Sequence, residues 1–257
     1  MPTVSVIVPF YKAEEWWQQC LHSIRSQSYE NVELIIEYDD EATGVAAARN
    51  RALDKASGEF VMFVDADDYL EPDAIEKMVS AIEGMDLVVG SFRKFGLFEA
   101  IVRHETETFT MLRIAEYTMS NLQNPMSNQM LSGCWAKLYR RSLIGRFPNL
   151  TTAEDMAFNF DYLRRCQSAR FIPEIIYHNR KHKGSLTTTF NEKDRDGLFG
   201  FMEALKYVRK FIAPFYPDGM LEAAIDNSKA YHSMLYFMRI VAQNGGDMKD
   251  TLRKLYP

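Results

Sequence analysis

No stretch of this 257-residue chain approaches the run of about 18 apolar residues that a membrane-spanning helix requires. Cysteine is scarce. Cys20, Cys134 and Cys166 have no metal-site spacing and leave an odd thiol, which points to a reducing compartment, the cytoplasm, rather than to secretion. Excess positive charge is absent too: 30 Lys and Arg against 35 Asp and Glu give a net charge of −5. That balance offers no general attraction to nucleic acid. The first residues lack a basic segment followed by a long apolar one, so no signal peptide is expected. Internal repeats and low-complexity segments are missing as well. What the chain does have is a hydrophobic content of 47%, enough for a substantial core.

Its first ninety residues alternate between strand and helix patterns. Val4 to Pro9 reads as a strand, and Trp17, Cys20, Leu21 and Ile24 then fall on one helical face. A strand from Val32 to Tyr38 ends at Asp39-Asp40, and a small-residue helix runs from Val45 to Ala56. Phe60 to Val64 reads as a strand, Pro72 opens a helix with Ile75, Met78, Val79 and Ile82 on one face, and Asp86 to Gly90 is a further strand. This alternation predicts an α/β fold with a mostly parallel sheet covered on both faces. After Phe92 the pattern changes. An edge strand or hairpin is expected over Ala100–Thr110, a helix over Met111–Leu122, an extended segment over Cys134–Arg141, a helix starting at Thr151–Asp155 and a strand over Phe171–His178. A basic loop should follow through Ser185, and the remainder reads as helices, one with a Phe201, Leu205, Val208, Ile212 stripe and one over Met220–Ala242.

The most telling segment is Phe60-Val61-Met62-Phe63-Val64-Asp65-Ala66-Asp67-Asp68. An apolar strand here delivers three carboxylates within four positions. Clustered carboxylates repel one another and are costly to desolvate, unless a hard divalent cation sits among them. The end of a strand is also where open α/β sheets bind ligands. Asp65 to Asp68 therefore read as a metal site for an anionic ligand such as a diphosphate. Asp39-Asp40 should lie along the same sheet edge, either as a second functional pair or as a turn. Glu154-Asp155 fits either a catalytic pair or ordinary helix capping.

The ordered set of these pieces resembles the family 2 glycosyltransferases, nucleotide-sugar enzymes of the GT-A fold. The residues that carry the resemblance span 3 to about 186. They are Val4-Ser5-Val6-Ile7-Val8-Pro9-Phe10-Tyr11, Ala48-Arg49-Asn50, Asp65-Ala66-Asp67-Asp68, Cys134-Trp135-Ala136-Lys137-Leu138-Tyr139, Glu154-Asp155, and Arg180 with Gly184-Ser185. The resemblance implies a GT-A domain over 1–190, with a nucleotide-binding half (1–91) and an acceptor-binding half (92–190), then a helical extension over 191–257.

It further implies roles. Pro9, Phe10 and Tyr11 would line the nucleotide base, Asp39 would accept a hydrogen bond from a uracil-like ring, and Arg49 would sit near base or phosphates. Asp65 would hold the ribose or back the metal, and Asp67 would ligate Mn²⁺ or Mg²⁺. His182, with His178 the weaker candidate, could complete the metal shell, and Arg180 with its basic neighbours could close over the diphosphate. Asp155 would be the general base of an inverting displacement, with Glu154 beside it. Trp135 is either a sugar platform or a buried aromatic, and Asp68 is assigned to the acceptor side. Trp16 and Trp17 are expected in helix packing, and the C-terminal methionines in core or interface. The implied partners are a UDP-sugar or similar donor and a glycan, lipid-linked or protein acceptor, with the C-terminal helices offering a peripheral membrane contact at the inner face of the cell membrane or a homodimer interface.

One departure from the family pattern stands out. Only Glu41-Ala42-Thr43-Gly44-Val45-Ala46-Ala47 separates the acidic end of the second strand from Ala48-Arg49-Asn50, where family members place a further helix and strand. That link is too short for a crossover unit, so the sheet should lack one strand and the base pocket should be more open. Two other readings compete. An aspartyl-phosphate phosphatase also ends a strand in Asp-x-Asp, but it needs Thr or Val where this chain has Tyr69. A catalytically degenerate nucleotide-sugar binder of the same fold would keep the site and lose turnover.

Overall fold

The computed structural model describes residues 1–125, 133–150, 153–182 and 194–243. In chain order the elements are β1 (Val4–Phe10), α1 (Glu14–Arg25), β2 (Val32–Tyr38), α2 (Val45–Lys55), β3 (Phe60–Phe63), β4 (Tyr69–Leu70), α3 (Ala74–Ala81) and β5 (Leu87–Gly96). They continue with β6 (Ala100–Val102), β7 (Glu107–Thr110), α4 (Met111–Gln123), β8 (Lys137–Arg140), α5 (Glu154–Leu163), β9 (Ser168–Lys181), α6 (Asp194–Ile212) and α7 (Asp218–Gln243). The strands form one sheet in the order β2-β1-β3-β8-β5-β9-β4, with β6 added to β5 and β7 to β9.

The longest ladders are parallel. β1 pairs with β2 from Val4↔Val32 to Phe10↔Tyr38, and β5 pairs with β9 from Leu87↔Ala169 to Gly96↔Lys181. β8 enters antiparallel between β3 and β5 and joins the two halves. The central strands are apolar on both faces: Val4, Val6 and Val8 pack toward α1 and α3, while Ile7, Val61 and Phe63 pack toward α2, α4 and α5. Burial on both sides explains why β1 and β3 read as continuous hydrophobic runs.

The alternation of the first half is as expected, and so are the helical stripes. Cys20 and Ile24 of α1 and Ile75 and Met78 of α3 are buried. No strand lies between β2 and α2, so β2 forms the edge of the sheet. Two expectations change. The 100–110 segment is neither one strand nor a hairpin, because β6 pairs with β5 and β7 with β9. The basic segment after His178 is not a loop as far as Lys181, because β9 continues to that residue with a register shift near Ser91. That shift lets a strand curving around the sheet keep its ladder. Gly184 and Ser185, and Thr151-Thr152, lie outside the described residues.

α6 and α7 extend the core instead of standing apart from it. Leu205, Val208, Phe211, Leu221 and Ile225 belong to the same apolar cluster as Ile114 of α4 and Phe160 of α5. Met220, Met234 and Met238 are exposed on α7, on the part of the molecule where a peripheral contact was expected. No helix among the described residues is long and apolar enough to cross a membrane.

Gly96 ends β5 in the left-handed region, at φ 107°, and a Cβ there would run into the Lys181 carbonyl oxygen, which accepts a hydrogen bond from Leu97 N at 2.8 Å. Only glycine satisfies both conditions without strain. Gly96→Ala should therefore lower stability by about 1–3 kcal/mol, read as a shift in the urea midpoint at unchanged slope.

Candidate active site

Four chain segments meet at the carboxyl ends of β1 and β3. At their centre is Arg49, on α2, whose side chain is only 3% exposed. Its Nη2 donates to Asp65 Oδ1 at 2.9 Å, and its Nη1 donates to Asp155 Oδ1 at 2.5 Å and Glu154 Oε1 at 3.1 Å. The face of the guanidinium lies 5.2 Å from the Phe147 ring centroid. α2 places Arg49 there because Ala46, Ala48 and Ala52 let the helix lie close against β1 and β2. A buried guanidinium is tolerable only when its charge is met by hydrogen-bonded carboxylates. Burial works against its charge, and Asp155, Asp65 and Glu154 outweigh that and hold it firmly protonated.

The carboxylates feel the converse. Burial, then Asp155 and Asp67, push Asp65 up to about 6 despite the pull of Arg49, and burial and Asp155 push Glu154 up to about 7. One guanidinium faces three carboxylates, so full ionisation leaves an excess of negative charge. Such a cluster favours an additional cation or bound protons.

Asp155 lies in the first turn of α5 with Glu154. Its Oδ2 accepts the Cys134 N–H at 3.3 Å. The Cys134 turn is held from below by a buried polar knot. Lys137 Nζ donates to the carbonyls of Gly133 (2.5 Å) and Trp135 (3.3 Å), Asn159 Nδ2 donates to Gly133 O (3.0 Å), and Tyr139 Oη bonds Cys134 O and Asn159. Burial lowers the Lys137 ammonium to about 8. Neither Lys137 nor Asn159 was singled out in the sequence, where a single lysine in a strand carries no signal.

The 65–68 loop is fastened to the end of β9. Tyr177 Oη accepts Asp65 N–H at 3.1 Å and donates to Asp68 Oδ2 at 2.7 Å. Asn179 Nδ2 donates to the same oxygen at 2.9 Å, and Arg180 N–H donates to Asp68 Oδ1 at 2.6 Å. Asp68 is thus fully buried, and both of its oxygens are taken by β9. It fastens the loop from within; the expected acceptor contact has no free carboxylate to use. Asp67 instead faces outward, with His182 Nε2 at 3.0 Å from its Oδ2. Among the described residues no group of three or more His, Cys, Asp or Glu side chains has metal-site geometry. Asp67 and His182 supply one oxygen and one nitrogen, which fits a hard cation that takes its other ligands from a diphosphate and water. His178 is turned away: its Nε2 meets Glu71 at 2.6 Å and its ring stacks on Tyr69.

Arg180 Nε donates to the Asp67 carbonyl at 2.9 Å and its Nη2 to Gln19, with the guanidinium 4.6 Å from the Phe95 ring and 5.8 Å from the Trp16 ring. Trp16 is not helix packing: it lies off the apolar stripe of α1, and its ring is 4.0 Å from that of His182. Trp17 does pack, edge-on to Phe10. Trp135 stacks on Tyr177 and meets Phe92, leaving it half-buried. Pro9 and Phe10 are half-buried at the end of β1, with Tyr11 and Tyr38 exposed beside them and Phe10 5.2 Å from Tyr38. Asp39 takes the turn alternative left open by the sequence. Its carboxylate is buried and closes the short 39–44 loop onto Thr43, Gly44 and Arg51. Arg49, expected beside the nucleotide, is instead spent on the carboxylates.

A glycosyl transferase family 2 model matches residues 36–147. The glycosyltransferase AglE of Haloferax volcanii is 32% identical over 224 residues, covering 68% of this chain and 70% of AglE. The chain belongs to glycosyltransferase family 2. EpsH of Bacillus subtilis is 28% identical over 229 residues, covering 75% of this chain, which itself spans 64% of the length of EpsH. Among solved structures, residues 1–349 of S. aureus TarS in complex with UDP-GlcNAc superpose with a TM-score of 0.68 at 19% identity, over 88% of this chain and 71% of that one. The family 2 member described here shares that protein's GT-A fold, a central sheet flanked by helices with a helical C-terminal part.

Two outcomes follow from the Arg49 cluster. Arg49→Met leaves buried carboxylates unpaired and should cost about 3–5 kcal/mol of unfolding free energy in denaturant titrations at neutral pH. Glu154 has its folded pKa (about 7) above its ordinary 4.5. Its protonated form therefore adds stability that is fully present below pH 4.5 and is lost as pH rises through 7. The metal-free protein should accordingly lose thermal stability over that window, and Glu154→Gln should flatten the decline.

Proposed function

We propose that this protein transfers a sugar from a nucleoside-diphosphate donor, a UDP-sugar or a close relative, to a hydroxyl of a glycan, lipid-linked or protein acceptor. The observation that carries this reading is the arrangement around Arg49: Asp65 and the Asp67–His182 pair on one side, Asp155 and Glu154 on the other. The UDP-GlcNAc bound to the TarS structure supports the donor class, as does the family's name.

When bound, Mn²⁺ or Mg²⁺ supplies Lewis-acid neutralisation of the departing diphosphate. Asp67 and His182 would hold it, with Arg180, bonded to the Asp67 carbonyl, as a further cation beside them. Asp155 takes the proton from the acceptor hydroxyl as that oxygen attacks the anomeric carbon. The bond to the diphosphate then breaks on the opposite face, and the configuration inverts. Arg49 holds the Asp155 carboxylate in place through its hydrogen bond, while Glu154 beside it holds or releases a proton near neutral pH. Trp135, half-buried against Tyr177 and Phe92, is assigned as the sugar platform of a hexosyl or hexosaminyl transfer.

Two variants test the division of labour, with donor binding followed calorimetrically and turnover measured on a donor found by screening nucleotide sugars with Mn²⁺. Asp67→Asn should lose metal-dependent donor binding; full, EDTA-resistant activity in this variant would remove the metal from the reaction. Asp155→Asn should bind donor almost normally and turn over roughly two to four orders of magnitude more slowly. Weak donor binding with normal turnover would make Asp155 a helix cap and nothing more.

A further inference from the structure

Asp155 is gripped through both of its oxygens. Arg49 Nη1 donates to Oδ1, and the Cys134 N–H donates to Oδ2 at 3.3 Å. That N–H shares a peptide unit with the Gly133 carbonyl, and in a planar trans peptide the two point in opposite directions. The Gly133 oxygen in turn accepts Lys137 Nζ at 2.5 Å and Asn159 Nδ2 at 3.0 Å. A single rigid group therefore runs from the Lys137 ammonium to the Asp155 carboxylate. Lys137 is 3% exposed, and its Nζ also donates to the Trp135 carbonyl at 3.3 Å. Between them Ala136 sits at φ 55°, a left-handed conformation that an alanine keeps only when its surroundings hold it there. Holding the turn would not by itself call for a charge, since the neutral Asn159 amide already satisfies the Gly133 oxygen. What an ammonium adds is polarisation: a charge-assisted bond at the carbonyl end strengthens the N–H bond at the other end.

We propose that Lys137 is a positioning residue for the transfer step, acting through the Gly133–Cys134 peptide to aim the N–H that holds Asp155. The proposal rests on the transferase reading given above. Lys137 touches neither donor nor acceptor in this role; it sets the direction of the carboxylate that receives the acceptor's proton. Its own charge is within reach of titration, because burial lowers the ammonium to about 8. The titratable groups that act on it or feel it are Cys134 in the turn, Asp155 on α5 and His104 between β6 and β7, with Tyr139 two residues along β8. Burial pushes the Cys134 thiol and Tyr139 phenol well up and His104 down to about 4, so these three keep their charge state while Lys137 titrates. Glu154, beside Asp155, titrates lower, at about 7. The ammonium is present below about pH 8, and the polarisation it supplies is lost above that.

The test follows donor affinity by calorimetry and kcat across the pH range around 8, in the full-length wild type, Lys137→Met and Tyr139→Phe. Lys137→Met should bind the donor within about twofold of the wild type and turn over roughly tenfold to a hundredfold more slowly, the mark of a misplaced reacting group. Wild-type kcat should fall as pH rises through about 8, and this alkaline limb should be missing from Lys137→Met. Tyr139→Phe removes a hydroxyl from the same turn but leaves the ammonium, so it should keep the limb. Unchanged kcat in Lys137→Met, a limb that persists there, or a loss of donor affinity that accounts for its slower reaction each overturns the proposal. If Lys137→Met does not fold, the other two proteins still decide: a wild-type profile without the limb, or a limb abolished by Tyr139→Phe, overturns it. A wild type that turns over no nucleotide sugar overturns the transferase reading and this role with it. An active wild type indifferent to Lys137 sinks the role alone, so the two failures are distinguishable.

Discussion

The buried Arg49 guanidinium is the interaction on which the rest of the site depends. It comes from one helix and reaches carboxylates on two other elements: Asp65 at the end of β3, and Glu154 and Asp155 at the start of α5. A desolvated cation has to be met on several sides, and that need fixes the distance between the two halves of the sheet at the place where chemistry is proposed. The cost of crowding the carboxylates together appears in Glu154 and Asp65, both pushed up by burial and by Asp155. Their raised proton affinity marks a place that welcomes further positive charge.

Two fastenings support that centre from opposite sides. Asp68 is spent on Tyr177, Asn179 and the backbone of Arg180, and this pins the metal loop to β9 and brings His182 against Asp67. Lys137, Asn159 and Tyr139 pin the Cys134 turn from beneath, and this turn donates to Asp155. In each case a buried polar group satisfied by several partners makes a loop rigid where a loop would otherwise move. Asp67, His182 and Asp155 are left partly exposed on that framework.

Much of the fold was legible in the chain. Apolar runs and period-3.6 stripes gave β1, β2, β3, β5 and three helices, because those elements bury one stripe or both faces and the burial requirement writes itself into composition; the two-residue β4 left no such pattern. The second half was harder to read. β6 and β7 are too short to carry a pattern, and β9 passes from apolar Phe171 to basic Lys181 without ending, since its ladder to β5 holds it extended whatever its side chains. At the site, the acidic strand end, the Glu154-Asp155 pair and Arg180 with His182 were visible as residue types. Tyr177 and Asn179 were not, Lys137 stood in a matching motif with no role of its own, and Trp16 was expected in helix packing, because a lone tyrosine, asparagine, lysine or tryptophan means little until its neighbours are known.

The sequence by itself determined the family, the order of strands and helices through α3 apart from the short β4, and the missing strand after Asp40, because each is a matter of local pattern and length. Only the tertiary structure decided what each charged residue does. Asp39 and Asp65 both follow apolar strands, yet one closes its own turn and the other joins Arg49 beside the site. Asp67 and Asp68 are neighbours in the chain, yet one faces His182 and the other is buried under β9. For Asp67 and Asp68 the distinction belongs to burial and to partners more than a hundred positions away, which the local sequence does not show.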